Sequence, residues 1–124
     1  MGLVLVVDDE QLVAETLVEV LVWDGHEVLT ASNGEDALAL VDARVPDLLV
    51  IDFMMPIMDG VEALRELRAR ERQRGMARVP TILMTAAPSG VPLGEDLFDV
   101  LLSKPFNVTA LRAAMTKAFA PAPR

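Results

Sequence analysis

The sequence predicts an open α/β domain whose strands lie parallel, and three observations carry that expectation. Runs of branched aliphatics such as Leu3-Val4-Leu5-Val6-Val7 and Leu48-Leu49-Val50-Ile51 show no polar alternation, amphipathic stretches of helical spacing separate them, and acidic residues stand where the runs end. Unalternated apolar runs of this length mark strands covered on both faces. Regular alternation of strand and helix favours parallel pairing through right-handed crossovers. The carboxyl ends of such strands form the ligand crevice of open α/β folds.

The first strand closes on Asp8 and Asp9. Leu12, Val13, Thr16, Leu17, Val20 and Leu21 then recur at helical spacing, Trp23 is expected to pack at the helix end, and Asp24-Gly25 reads as its C-terminal turn. His26 precedes a short second strand, 27–31, and reads as a surface residue. Ser32 with Glu35 resembles a capping box opening a second helix through Ala37, Leu38 and Val41, which Pro46 stops before the third strand. Asp52 closes that strand. The Met54-Met55-Pro56-Ile57-Met58 stretch cannot be regular helix, and Asp59 after it can cap a third helix that turns Val61, Leu64 and Leu67 inward. Its other face, with Glu62, Arg65, Glu66, Arg68, Arg70, Glu71, Arg72 and Arg74, reads as solvated and laced with i,i+3 and i,i+4 pairs. Gly75 ends the helix, Pro80 precedes a fourth strand over 81–85, and 100–103 makes the fifth. Between these strands Pro88, Gly90, Pro92 and Gly94 interrupt the place of a fourth helix, so any helix there is short and confined to about 95–99. Asn107 caps the last helix, with Val108, Leu111, Met115 and Phe119 expected inward. Residues 1–120 then form one domain, and 121–124 a frayed tail or linker stub.

Composition narrows the function. A chain of 124 residues, 52% hydrophobic, holds one core without staples. The absence of Cys removes disulfides, thiolate catalysis and Cys-ligated zinc. A net charge of -8 argues against direct binding to nucleic acid or to anionic membrane surfaces. No apolar stretch approaches the ~20 residues of a membrane span, and no basic segment of a secretory signal opens the chain, so a cytoplasmic location is expected.

The chemistry lies at the strand ends. Asp8, Asp9, Asp52, Thr85 and Lys104 follow or close four separate strands, a joint placement that isolated N-caps or solvated turns would not produce. Mg²⁺ takes hard oxygen ligands and keeps several waters, so Asp9 and Asp52 suffice as direct ligands, with Asp8 holding a metal-bound water and a carbonyl just beyond Asp52 completing the set. A cation there relieves carboxylate repulsion and leaves Asp52 ionised as a nucleophile toward phosphorus. Lys104 can compensate charge on the phosphoryl oxygens from the other side, and the Thr85 hydroxyl can bond a further oxygen. The Lys104-Pro105 bond is open to either isomer.

These residues resemble the receiver domain of two-component response regulators, over nearly the whole chain. Leu5-Val6-Val7-Asp8-Asp9-Glu10 is similar to the family's acidic pair, Asp52-Phe53-Met54-Met55-Pro56-Ile57-Met58-Asp59-Gly60 to its phosphoacceptor loop, and Thr85-Ala86 with Lys104-Pro105-Phe106 to its switch hydroxyl and lysine. The resemblance implies a CheY-like, flavodoxin-like (βα)5 fold with strand order 2-1-3-4-5, the first and fifth helices on one face and the others on the opposite face. It implies that Asp52 takes a phosphoryl group from a histidine kinase or histidine phosphotransfer protein, with Mg²⁺ on Asp9, Asp52 and the Met54 carbonyl and Asp8 assisting through water. The domain would catalyse its own phosphorylation and dephosphorylation rather than turn over a separate substrate. Met54 and Ala87 occupy the places that tune phosphoryl lifetime, and neither can hold an attacking water. Two departures stand out: Leu101 lies where the family usually has the aromatic partner of the Thr85 switch, with Phe98 nearby as a substitute, and the Pro/Gly-rich stretch 87–94 replaces most of a helix on the usual output face. Signalling by the ordering of that loop is the corresponding expectation.

Two rivals define the alternatives. A haloacid-dehalogenase-like phosphohydrolase needs a second Asp two places after the nucleophile, where this chain has Met54, and a cap domain for which there is no length. A pseudo-receiver that binds its partner without phosphorylation is the other.

Overall fold

The long unalternated runs become the interior of a sheet. In the computed structural model, which describes residues 2–119, the strands are β1 (Leu3–Val7), β2 (Glu27–Ala31), β3 (Leu48–Asp52), β4 (Thr81–Thr85) and β5 (Val100–Ser103). All pair in parallel in the order β2-β1-β3-β4-β5, as expected. The helices are α1 (Gln11–Trp23), α2 (Gly34–Ala43), α3 (Gly60–Arg74) and α4 (Val108–Phe119). Every residue of β1, β3 and β4 is buried, whereas the edge strands β2 and β5 are partly exposed.

Alternating side chains of the central strands feed two cores. Leu5, Val7, Leu49, Ile51 and Leu83 pack against Ala37, Leu38 and Val41 of α2 and Val61, Leu64 and Leu67 of α3. Val4, Val6, Leu48, Val50, Ile82 and Met84 meet Leu17 and Leu21 of α1 and Leu111, Ala114, Met115 and Ala118 of α4. Each fully buried aliphatic contributes roughly 1.5–3 kcal/mol, which fixes which helix covers which face.

Several local expectations are corrected. The cap of α2 is Asn33, whose Oδ1 accepts from the Asp36 amide at 2.8 Å, not Ser32. At α1, Leu12 is 79% and Trp23 86% exposed, and Thr16 also faces solvent, so Trp23 does not pack against the helix end. Val108 and Phe119 of α4 are likewise exposed. A flat sheet covers a stripe little more than ~100° wide, and apolar residues outside that stripe stay in water. His26 is half-buried, not a free surface residue, and its Nδ1 is buried with no partner among the described residues. The Asp59 cap of α3 is a full capping box with Glu62, and Gly75 ends the helix at φ 63°.

The segment between β4 and β5 contains no α-helix. Only a 3₁₀ turn, Pro88–Gly90, forms, and 95–99 is irregular, with Gly94 at φ 89° and Asp96 at φ 55°. Backbone groups that a helix would pair need other partners. Arg68 and Glu71, expected on the solvated face of α3, are buried, and Arg68 supplies one at Leu97. The Arg68 guanidinium donates to the Leu97 carbonyl at 2.8 and 3.1 Å, to both Glu71 carboxylate oxygens at 3.0 Å, to the Val79 carbonyl at 3.0 Å and to Thr81 Oγ1 at 2.8 Å. Glu71 in turn accepts from the Val79 amide at 2.8 Å. Burial draws the Arg68 guanidinium below the ordinary arginine value, and Glu71 opposes that pull. Exposed pairs flank this clamp, Arg65 on Glu95 and Arg78 on Asp96 and Asp99.

Arg68→Met should therefore cost about 3–5 kcal/mol of unfolding free energy, because it strands the Glu71 carboxylate in the core. Arg65→Ala should cost far less. Urea denaturation of the two variants checks this, and equal small losses would show that the clamp does not hold the segment.

Candidate functional site

Strand order assembles the site. β1 and β3 are neighbours at the centre of the sheet, so Asp8, Asp9 and Asp52 emerge side by side at its carboxyl end. One carboxylate oxygen from each lies within 4.8 Å of the others. Asp8 and Asp52 are buried and Asp9 is exposed. Lys104 follows the edge strand β5 and reaches back across β4: its Nζ donates to Asp8 Oδ2 at 2.8 Å and lies 3.0 Å from Asp52 Oδ1. Asp8 is fixed from both sides, since its Oδ1 accepts from the Glu10 amide at 2.9 Å. Thr85 is buried at the end of β4, where its carbonyl accepts from the Lys104 amide at 2.8 Å and its Oγ1 from the Ala87 amide at 3.0 Å. The Lys104-Pro105 bond is cis.

The electrostatics are unbalanced. Burial pushes the Asp52 carboxyl above the usual aspartate range; the Lys104 hydrogen bond pulls it back, and the charges of Asp8 and Asp9 add to the push. Burial works against the Lys104 charge as well, but bonds to Asp8 and Asp52 outweigh it and hold the ammonium above the ordinary lysine range. Three clustered carboxylates facing one ammonium leave room for a hard cation, and an all-oxygen donor set suits Mg²⁺.

The loop after Asp52 is shaped by close backbone contacts. The Phe53 amide donates to the Met84 carbonyl, the Gly60 amide to the Phe53 carbonyl at 2.8 Å, and the Gly34 amide to the Met58 carbonyl at 3.1 Å. Ile57 takes a left-handed conformation at φ 72°. A Cβ on Gly60 would fall inside contact distance of the Asp52 carbonyl oxygen, so glycine is required there by the end of β3 itself. Met55 and Met58 fill gaps against the α2 and α3 core, while Met54 is exposed.

Of the residues singled out in the sequence, Asp8, Asp9, Asp52 and Lys104 come together, and Thr85 joins them through the backbone. Met54 and Ala87 are exposed beside the site, in the loops after Asp52 and Thr85. Leu101 is half-buried on the α2 and α3 side of the sheet, paired with Leu83, and Phe98 packs against the same core. Glu10 was not anticipated as a site residue. Its Oε1 lies 3.4 Å from Lys104 Nζ, and its place directly after the acidic pair was the available signal. Beside Lys104 a groove of about 480 Å³ opens between α1 and 104–106, lined by Leu12, Val13, Thr16 and Phe106 among others.

The family model described as response regulator receiver domain matches residues 4–116. The chain belongs to that family. It is 39% identical over 127 residues to the transcriptional regulatory protein CpxR of Klebsiella pneumoniae, an alignment covering 94% of this chain and 50% of the relative. The alkaline phosphatase synthesis transcriptional regulatory protein PhoP of Bacillus subtilis is 34% identical over 116 residues, covering 89% of this chain and 45% of the relative. The chain thus spans about half the length of these curated relatives. Among solved structures, the chemotaxis response regulator CheY4 of Vibrio cholerae superposes with a TM-score of 0.85 at 28% identity, covering 96% of this chain and 99% of that one. The response regulator TrrA of Thermotoga maritima, in complex with Mg²⁺-BeF, gives 0.82 at 33% identity, covering 96% and 100%. This receiver domain therefore has the strand order and the acidic cluster of a two-component signalling module.

Gly60→Ala should cost about 1–3 kcal/mol, as overpacking at a rigid contact does, with the loss read from thermal or urea unfolding. An unchanged midpoint would mean that the loop after Asp52 has slack not visible in its contacts.

Proposed function

We propose that Asp52 is the phosphoacceptor and takes its phosphoryl group from a phosphohistidine of a sensor kinase or phosphotransfer protein. The observation that carries this reading is the buried Asp52 carboxylate, held 3.0 Å from the Lys104 ammonium beside two further carboxylates. A carboxylate oxygen of Asp52 attacks phosphorus, the new O–P bond forms as the N–P bond breaks, and the imidazole leaves as a neutral base after taking a proton. Lys104 compensates charge on the phosphoryl oxygens, and the Thr85 hydroxyl bonds another as they settle. Asp9, Asp52 and the Met54 carbonyl would hold Mg²⁺, with Asp8 acting through water; when bound, the ion neutralises carboxylate and phosphoryl charge. Dephosphorylation returns the carboxylate by attack of water on phosphorus.

The domain catalyses both steps on itself and turns over no separate substrate. Thr85 is the switch hydroxyl, Leu101 stands in the place of its usual aromatic partner, and the response falls in 86–94, because the Arg68 clamp already holds Leu97. No helix among the described residues is long and apolar enough to cross a membrane, and we place the protein in the cytoplasm. We take residues 1–120 as the domain; 121–124, the proposed tail or linker stub, lie outside the described residues. No structural observation favours the pseudo-receiver alternative: Lys104 contacts Asp8 and Asp52, and Asp9 offers a carboxylate oxygen within 4.8 Å of theirs.

Incubation with acetyl phosphate and Mg²⁺, followed by intact-mass spectrometry, should show the gain of one phosphoryl group. Asp52→Asn and chelation of the metal should each abolish it, and Lys104→Ala should slow it by ~10²-fold or more, as the loss of one charge-stabilising donor does. Absence of the gain in folded native protein would overturn the reading.

Neither the exposed Met54 thioether nor the Ala87 methyl can orient a water by a strong hydrogen bond. Self-dephosphorylation should therefore be slow, on the scale of many minutes or longer, and Met54→Asn should hasten it. A half-life of seconds for the native protein would contradict this assignment.

A further inference from the structure

The chain has no Cys, so its sulfur chemistry rests on seven methionines. Among the described residues only one of them stands in water. Met54 is 68% exposed, whereas Met55 and Met58 are half-buried against the α2 and α3 core, Met76 is half-buried, and Met84 and Met115 are buried. A thioether that solvent reaches is oxidised ahead of those that packing shields. Met54 has the access that the others lack.

Position gives that access a consequence. Met54 stands two residues past Asp52 and opens the loop that leaves β3. Immediately before it the chain is held twice, by the Phe53 amide on the Met84 carbonyl at 2.9 Å and by the Gly60 amide on the Phe53 carbonyl at 2.8 Å. The backbone beside the site is thus fixed, while the exposed Met54 side chain has little packing to lose. A change in its polarity alters the mouth of the site and leaves the fold alone. A thioether sulfur is only a weak acceptor. A sulfoxide is polar, and its oxygen can hold a water.

We propose that Met54 is an oxidation site, at which a hydroperoxide converts the thioether to a sulfoxide and thereby shortens the life of a phosphoryl group on Asp52. The proposal rests on the reading of Asp52 as the phosphoacceptor. The sulfur lone pair attacks one peroxide oxygen, the S–O bond forms as the O–O bond breaks, and the departing hydroxide takes the proton from the sulfur-bound oxygen to leave as water. Sulfur loses two electrons and the peroxide gains them. Asp8, Asp9 and Asp52 gather negative charge at the mouth, in a chain of net charge -8. Hydrogen peroxide is neutral and meets none of the repulsion that this field offers an anionic oxidant. The sulfoxide oxygen then accepts from a water beside Asp52 and orients it toward phosphorus, which the thioether cannot do. A methionine sulfoxide reductase returns the thioether, so the modification is reversible.

The test uses the full chain, treated with hydrogen peroxide, freed of it with catalase, phosphorylated with acetyl phosphate and Mg²⁺, stripped of the donor and followed by intact-mass spectrometry as the phosphoryl group is lost. Peptide mapping should place the added oxygen, about 16 Da, on Met54 before Met55, Met58, Met76, Met84 or Met115. The phosphoryl half-life should then fall about 2- to 10-fold, the worth of one net hydrogen bond in the transition state, and lengthen again after treatment with the reductase. Met54→Leu should show one and the same half-life before and after peroxide. Met54→Gln, which carries a permanent amide oxygen, should lose its phosphoryl group faster than the native chain without any oxidant. Circular dichroism should be the same before and after oxidation, and a lifetime lost together with the fold would overturn the proposal. So would oxidation of the buried methionines ahead of Met54, an unchanged half-life once Met54 carries its oxygen, or a half-life that peroxide still shortens in Met54→Leu. In each of these failures the unoxidised protein still takes up its phosphoryl group. Where it takes up none, the phosphoacceptor reading fails first and the proposal falls with it.

Discussion

The Lys104 ammonium, held between Asp8 and Asp52, is the interaction on which the site depends, and the sheet topology exists in the form that makes it possible. Asp8 and Asp52 are brought together by the β1–β3 pairing, which places two buried carboxylates beside a third. Left alone, that arrangement would force a proton onto one of them. Lys104 arrives from the far edge strand, over the end of β4, with a side chain long enough to reach both. The compensation is incomplete, since three carboxylates face one ammonium. A fully compensated cluster would be a structural ion pair; this one retains negative charge at an open mouth, which is the condition for holding a divalent cation and, on the proposed reading, for keeping Asp52 ionised.

The second buried charge in the domain solves the opposite problem. Arg68 and Glu71 sit in a closed environment in which the guanidinium donors and the Glu71 carboxylate find partners. A buried ion pair of this kind adds little over a well-packed apolar pair but is expensive to break. Its use here follows from the chain it holds. Residues 86–99 cannot bond to themselves as a helix does, because Pro88 and Pro92 lack amide protons and Gly90 and Gly94 favour turns. The Leu97 carbonyl therefore needs a donor from another element, and the arginine on the adjoining helix supplies it. The irregular segment and the charged residues of α3 are one structural device.

Most of the fold was legible because its signals are local. Unalternated aliphatic runs, Gly75 past the end of α3, Asp59 before it and the prolines between β4 and β5 each act through their own backbone or their immediate neighbours. The site was legible because its residues stand at strand ends, where their positions follow once the strands are parallel. What was misread depends on the third dimension. Arg68 and Glu71 have the spacing of a solvated i,i+3 pair, and nothing in the sequence marks that the loop at Leu97 and the strand start at Thr81 will close over them. Leu12, Trp23, Val108 and Phe119 fit the helical period, but the period shows only that a helix has an apolar face, not how much of it the sheet can cover. Ser32 was read as the cap of α2, but the adjacent Asn33 takes that place, next to a tertiary contact of the Gly34 amide with the Met58 carbonyl.

The same tertiary contacts bear on how a phosphoryl group at Asp52 would be felt elsewhere. Leu101 lacks the area of an aromatic side chain and lies half-buried among Leu83 and its neighbours, so it offers no large group to swing between solvent and core. Thr85 is placed differently. Its hydroxyl oxygen already accepts the Ala87 amide, the first backbone bond of the irregular segment. A hydroxyl can accept and donate at once, but it cannot move toward a phosphoryl oxygen without either drawing Ala87 along or leaving that amide unpaired, at a cost of about 1–3 kcal/mol if no water replaces it. At the other end the segment is fixed by Arg68 at Leu97. A displacement entering at Ala87 is therefore confined to the residues between these two points, where only Val91 is anchored in the core and Leu93 stands exposed. On the proposed reading, the absence of a fourth helix narrows the conformational response to one short, doubly tethered stretch and makes the Thr85 to Ala87 bond its point of entry.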